Sequence, residues 1–354
     1  MTRRLFPGLS MTKRPILNPL FLALSIVVSA PTLAASWCTN TGPGPLGQLR
    51  NEVNKQLLPQ SRAIERVHTE GTLPHQGIRD QSLEAKKDWP LMRDLALLWQ
   101  KQHQPGDLAA LSRLLNDWGT RYKPSFNPVD ETGLDAYIDA YAMTRDDLAP
   151  PIRAVAQRFI RELGEGYLNQ MEHNFKPGDG RWINNWNSHR VKLATLSAVA
   201  LEDPAMFARA RAQFIEQLGR NLRPGGSTVD VEQRDALHYV VYDLEPLTRA
   251  AVAARLRGQN WLVFKGASDA SLENALDWLA PYAKGDKTHE EFVHSHVKFD
   301  DQRREAGESG FSGLWNPQSA TGLYAMATLL NPKYAAVSER LHPMGGWMAA
   351  CWGR

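Results

Sequence analysis

An all-α fold is what this sequence predicts, and three observations predict it. Apolar residues recur at helical spacing in segment after segment, Pro and Gly punctuate the intervals, and the period-two alternation of strands is scarce. The helical segments run over about 91–103, 107–122, 134–144, 151–171, 188–201, 204–222, 231–256, 271–282 and 320–330. In the sixth, Phe207, Ala210, Phe214, Ile215 and Leu218 share one face, and Pro204 suits the first turn. Loops at 176–180 and 223–226 are rich in Pro and Gly, and a polar stretch covers 284–319. Antiparallel hairpins of this kind build a toroid, a solenoid or a plain bundle, and periodicity does not choose among them. The side chains on the polar faces favour a toroid with a central cleft.

Residues 1–35 read as a cleaved export signal, leaving 36–354 as a single domain. Arg3, Arg4, Lys13 and Arg14 form a basic leader, an apolar run covers 20–28, and small residues around Ala34 and Ala35 suit a signal peptidase. That apolar run is too short for a stable membrane span. Trp37 before Cys38 argues against a lipid anchor. Removing the four basic residues changes the formal charge from +3 to −1. The expected product is a periplasmic or secreted monomer whose near-neutral field gives no support to nucleic-acid binding. Cys38 and Cys351 lie at opposite ends of the mature chain, where an oxidising compartment lets them pair; two buried free thiols are the alternative.

Two apparent motifs are set aside. Gly42, Gly44 and Gly47 match a dinucleotide pattern, but Pro43 and Pro45 intervene and no strand precedes them. His289, Glu290 and His294 resemble a zinc motif with one residue too many between the histidines. His296 adds a possible chelate, against which stands the plainer reading of solvent-facing loop histidines. Neither metal nor organic cofactor is expected.

The most informative stretch is 233–247. If it is one helix, with Arg234 as origin, His238, Tyr242 and Glu245 fall near about 40°, 80° and 20°. Leu237, Val240, Val241, Leu244 and Leu247 occupy the opposite side. Arg clamps a carboxylate with two hydrogen bonds, and Tyr or His nearby moves a proton. A second cluster, 181–190, sets Trp182, Trp186, Asn187, His189 and Arg190 at the start of an apolar helix. Tryptophans at a cleft mouth stack on sugars, while Asn187 or Ser188 also suits a plain helix cap.

Together these segments resemble the alginate lyase superfamily. In its mannuronate lyases an Asn-His pair precedes a helix and an Arg-Ala-Leu-His-Tyr-x-x-Tyr-x-Leu-x-Pro-Leu segment follows. Ala236 to Tyr239, Tyr242, Leu244, Pro246 and Leu247 match that segment. The resemblance implies an incomplete α/α toroid, with Tyr242 as the proton carrier, His189 as neutraliser or second base, and Asn187 beside it on the carboxylate. Asp235 stands at the family's Arg position with Arg234 one residue earlier, and Ser188 separates Asn187 from His189.

The chemistry expected is β-elimination on an acidic uronate polymer. Removing the proton next to the carboxylate builds charge that Asn187, His189 and Arg234 would hold, while cationic surroundings would lower the Tyr242 pKa. Trp182, Trp186, Arg190, His238, Tyr239, Lys298, Arg303 and Arg304 would bind the anionic chain. Two other classes stand beside this: a noncatalytic polysaccharide-binding or export accessory protein, and an α/α-barrel glycoside hydrolase. The hydrolase needs two carboxylates flanking the cleft. Asp235 and Glu245 are the only evident pair, and they sit about 80° apart on the assumed helix.

Overall fold

A computed structural model describes residues 37–40, 42 and 44–353, with 1, 2 and 8. Apart from those three, the leader expected over 1–35 lies outside the described residues. Helices α1 (Leu46–Gln56), α2 (Gly77–Lys86), α3 (Asp88–Gln102), α4 (Pro105–Arg121), α5 (Pro128–Glu131), α6 (Asp135–Thr144) and α7 (Pro150–His173) form the first half. Then come α8 (Asn185–Ala200), α9 (Pro204–Asn221), α10 (Val229–Arg234), α11 (Leu237–Ala254) and α12 (Leu272–Ala283). The series closes with α13 (Lys298–Glu305), α14 (Thr321–Leu330), α15 (Ala335–Arg340) and α16 (Gly346–Trp352). Among the described residues there is no strand, only three isolated bridges.

All nine expected segments are helical, and local chemistry explains their starts. Asp203 accepts from Ala205 N and Met206 N ahead of Pro204, while Ser271 and Asn274 form a reciprocal capping box. One segment needs correction: 231–256 is two helices, because the chain turns at Asp235 in the left-handed conformation (φ 49°). The polar stretch 284–319 also contains the short α13.

The centre of the fold is α8. Every residue of this helix except Trp186 is buried, and it packs on α6, α7, α9 and α11. Fully covered aliphatic side chains such as Val191, Leu193 and Leu196 each contribute roughly 1.5 to 3 kcal/mol. A helix covered on all sides lets its polar side chains approach a cleft only where neighbouring helices part. Beside it, Glu131 accepts from Tyr122 Oη (2.7 Å), Tyr167 Oη (2.5 Å) and Ser125 N (2.5 Å), fixing α5 and the adjoining Thr132.

The ends of the unit Ala35–Arg354 are joined by the expected disulfide between Cys38 and Cys351, which disposes of the free-thiol alternative. Trp37 Nε1 donates to Asp139 Oδ1 (2.9 Å), and Trp352 Nε1 to the Trp37 carbonyl (3.3 Å). No described helix is long and apolar enough to cross a membrane.

Candidate active site

The site begins at the break between α10 and α11. Asp235 is held from three directions: its carbonyl accepts from Phe292 N (2.8 Å), and its carboxylate from His294 N and Nδ1 (both 2.9 Å). Glu291 then caps α11 by accepting from Leu237 N (2.8 Å) and His238 N (3.1 Å). His289 Nε2 also reaches the Asp235 carbonyl (3.0 Å), so these histidines brace a turn. Among the described residues no group of three or more His, Cys, Asp or Glu side chains is arranged to hold a metal.

From this turn, Arg234, His238, Tyr239 and Tyr242 enter a cleft of about 390 Å³, joined by Asn185, Trp186 and Arg303. The single-helix geometry for Arg234 does not hold, yet its guanidinium still reaches the cleft, 3.9 Å from the centroid of the Tyr239 ring and paired with Asp300. Arg303 Nη1 donates to Tyr239 Oη (3.1 Å). The apolar residues of α11 point the other way and are buried, as expected. Residues 69–72 form the facing wall, where Asp130 Oδ1 accepts from the backbone N of Thr69 (2.6 Å) and Glu70 (2.9 Å).

Trp186 also walls a second depression of about 550 Å³ that contains Trp182, Arg181 and Arg190. Arg190 stacks over Trp182 at 4.1 Å, and burial lowers its pKa to about 10. Two expected binding residues lie elsewhere: Lys298 is exposed, and exposed Arg304 pairs with Asp301. Neither lines the cleft, because α13 turns only the Phe299 and Arg303 side toward it.

Asn187 also needs correction. It is buried away from the cleft, donating to Gln217 Oε1 (2.8 Å). Asn184 is the true cap of α8, and Asn185 is the amide that lines the cleft, gripped by Asp230 through both its backbone N (2.8 Å) and its side chain. The signal was present in the spacing: Asn185 precedes His189 by four residues, one helical turn, whereas Asn187 precedes it by two.

His189 and Tyr242 meet with ring centroids 4.3 Å apart. Thr132 Oγ1 accepts from Lys192 Nζ (2.8 Å) and lies 2.6 Å from His189 Nδ1. With the threonine proton directed at Nδ1, the imidazole proton sits on Nε2, which has no partner among the described residues. Burial and then Lys192 hold the His189 pKa well below the usual histidine value, so the ring is neutral. Tyr242 departs from expectation: burial pushes its pKa up, aided by Tyr239, and the opposing pull of Arg303 is smaller.

This arrangement has relatives. The sequence profile of the family described as alginate lyase matches residues 31–289. The chain belongs to the alginate lyase family. A polysaccharide lyase of Stenotrophomonas maltophilia (strain K279a) is 30% identical over 148 residues, which is 42% of this chain. The match spans only 41% of that relative's length. An alginate lyase from Bacteroides ovatus superposes with a TM-score of 0.62 at 14% identity, covering 87% of this chain and 91% of its own. Alginate lyase A1-III from Sphingomonas species A1 gives 0.52 at 16% identity, with 72% and 79% covered. A variant of A1-III solved with a tetrasaccharide gives 0.58 at 15%, with 92% and 95% covered. The fold is therefore the α/α toroid of these alginate lyases.

Proposed function

We propose that this alginate-lyase-family protein is an exported polysaccharide lyase that cuts an acidic uronate polymer by β-elimination. The observation that carries this reading is the contact of a neutral imidazole and a phenol, His189 and Tyr242, with Tyr242 on the wall of a cleft lined by Arg234 and Arg303 and His189 directly behind it. Trp186 offers a stacking face along the approach, whereas Trp182 is buried beneath Arg190, and the family relatives named polysaccharide or alginate lyase agree with a polyanionic substrate.

Each residue has a distinct task. The arginines draw in the uronate carboxylate. His189 Nε2–H and Asn185 donate to that carboxylate as proton removal turns it into an enolate-like dianion, in a site where directed donors act most strongly. An imidazolium at His189 would face Lys192, so the ring serves better as donor than as base. Tyr242, as phenolate, takes the C5 proton and returns it to the departing O4 oxygen.

The test is release of 4,5-unsaturated uronate ends, followed by ultraviolet absorbance on polymannuronate, polyguluronate and glucuronan. Wild type should generate the chromophore, and Tyr242→Phe should bind polymer while losing turnover by a factor of about 10³ or more. New reducing ends without the chromophore would identify a hydrolase. Binding without any cleavage would identify an accessory protein.

A further inference from the structure

The C-terminal turn of α13 sets a carboxylate beside one of the cleft arginines. Gly307 is left-handed (φ 71°), and the chain doubles back there: Gly307 N donates to the Arg304 carbonyl (3.0 Å) and Glu308 N to the Arg303 carbonyl (3.0 Å). In a glycine cap of this kind the residue after the glycine returns to the one five positions earlier, and the two usually make an apolar contact. Here they make an ion pair, in which Arg303 Nε donates to Glu308 Oε2 (2.9 Å).

Arg303 is thereby held on three sides. Glu308 takes Nε, Tyr239 Oη accepts from Nη1 (3.1 Å), and the centroid of the Phe311 ring lies 4.3 Å from the guanidinium carbon. Nη2 bonds no described residue, and Arg303 lines the main cleft. The other oxygen of Glu308 leads to the facing wall. Oε1 lies 3.2 Å from Arg79 Nη2, an ion pair without hydrogen-bond alignment, and Arg79 Nη1 donates to the carbonyl of Thr72 (2.6 Å) in the 69–72 wall. Arg234, the second guanidinium on Tyr239, is anchored differently. Its carboxylate, Asp300, accepts from nearby Ser295 Oγ (2.7 Å) and stays on the α13 side.

We propose that Glu308 is a positioning residue for the reaction, aligning Arg303 on Tyr239 and tying that alignment to the 69–72 wall through Arg79. The inference rests on the lyase reading for the reaction it serves. Glu308 touches no reacting atom and acts by where it holds a guanidinium, in a site where a misplacement of about 1 Å costs up to 10² in rate. A wall displaced from the cleft withdraws Arg79, so Arg303 is placed most firmly when both walls are seated.

The experiment is kinetic, with release of unsaturated uronate ends as the signal. Glu308→Ala and Arg79→Gln should each lower kcat/KM roughly tenfold or more. The double variant should be no worse than Glu308→Ala alone, because Arg79 acts through Glu308. Gly307→Ala keeps every charge and sets its new methyl in open space, yet strains the turn that delivers Glu308, so it should follow Glu308→Ala in direction. Glu308→Gln keeps the acceptor but removes the charge that offsets Arg303. The alkaline rise of kcat should then begin roughly half a pH unit lower, a displacement that loosened packing does not produce. The other groups facing the two phenols are the same in every protein compared: Arg234, Asp230, His238 and Asp300 about Tyr239, and Glu245, Asp130 and His189 about Tyr242.

Hydrogen exchange reads the tie without turnover, since Glu308→Ala should raise exchange at 69–72, on the opposite wall. Losses that multiply in the double variant, an alkaline limb unmoved in Glu308→Gln, or unchanged exchange at 69–72 each overturn the proposal. Any of these in a protein that makes unsaturated ends sinks the positioning role alone. Wild type that makes no such ends, while exchange at 69–72 responds to Glu308→Ala, sinks the lyase reading and leaves the tie between the walls standing.

Discussion

Asn185 and Asn187 sit two positions apart on α8, yet only the first meets the cleft. Asn185→Ala should lower turnover by about 10² to 10³, because a donor to the developing charge is lost. Asn187→Ala should lower thermal stability while turnover per folded molecule stays near wild type, since among the described residues its side-chain amide bonds Gln217 alone. Equal kinetic losses in both would refute the assignment. Tyr242 yields a pH prediction: burial holds its proton on, so the phenolate base is scarce at neutral pH. The rate constant kcat should therefore climb with pH into the alkaline range, and a plateau already reached at pH 6 would contradict a phenolate base. His189, Tyr242 and Trp186 were legible because their side-chain chemistry is distinctive on otherwise apolar elements, whereas Arg303 was named with Lys298 and Arg304 from a polar run of which it alone lines the cleft. The choice between two asparagines was not legible from residue type. It depended on helix phase, and the wall at residues 69–72 carried no chemical signal at all.

At the scale of elements, α8 and α11 are joined by a buried polar seam. Ser188 Oγ donates to Asp243 Oδ1 (2.6 Å), and Asp230 holds Asn185, so α8, α10 and α11 share one network. Burial pushes the pKa of both Asp230 and Asp243 up, and the Asp230 charge raises Asp243 further. A carboxyl whose pKa is higher folded than unfolded contributes stability fully present below the unfolded value of about 3.9 and lost as pH rises through the folded value. Among the described residues Asp243 Oδ2 has no hydrogen-bond donor, and neither has the Oδ1 of neighbouring Asn221. Asp243→Asn supplies a neutral amide there, so it should raise Tm at pH 8 relative to wild type and flatten the fall in Tm between pH 5 and 8. A lower Tm at pH 8 would show that the charged pair is better satisfied than its surroundings indicate. Periodicity located both helices, but it could not show that Asp235 breaks the second. A left-handed residue stabilised by His294 and Phe292, almost sixty positions away, leaves no local trace. Pro246 acts within α11 itself: it has no N–H, which leaves the Tyr242 carbonyl without its helical partner beside the His189–Tyr242 contact.

Across the whole molecule, the two ends of the domain close on a buried charge cluster in which Arg93 pairs with Asp135 and Asp139, Lys192 with Asp135 and Arg249 with Asp139. Cys38 joins Cys351 on α16, Trp37 donates to Asp139, and Arg249 bridges Asp139 to the edge-to-face rings of Trp352 (4.9 Å) and Trp347 (5.8 Å). The sequence separation of 313 residues makes the unfolded-state entropy removed by this bond large, though measured effects usually stay near about 2 to 4 kcal/mol. For a domain this size that corresponds to a loss of roughly 3 to 8 °C in Tm on reduction. The loss should not be uniform. Only α16 and the segment around Trp37 are tied by the bond, whereas α8 and α11 are buried at the centre and keep their packing. Reduced protein, or the Cys38→Ser/Cys351→Ser double variant, should retain the main cleft but hold Trp347 and Met348 less firmly against Arg249. Hydrogen exchange should then rise first in α16, at temperatures where the amides of α8 remain protected. Simultaneous loss of protection in both helices would mean that the bond stabilises the toroid as one cooperative unit rather than holding only its ends together.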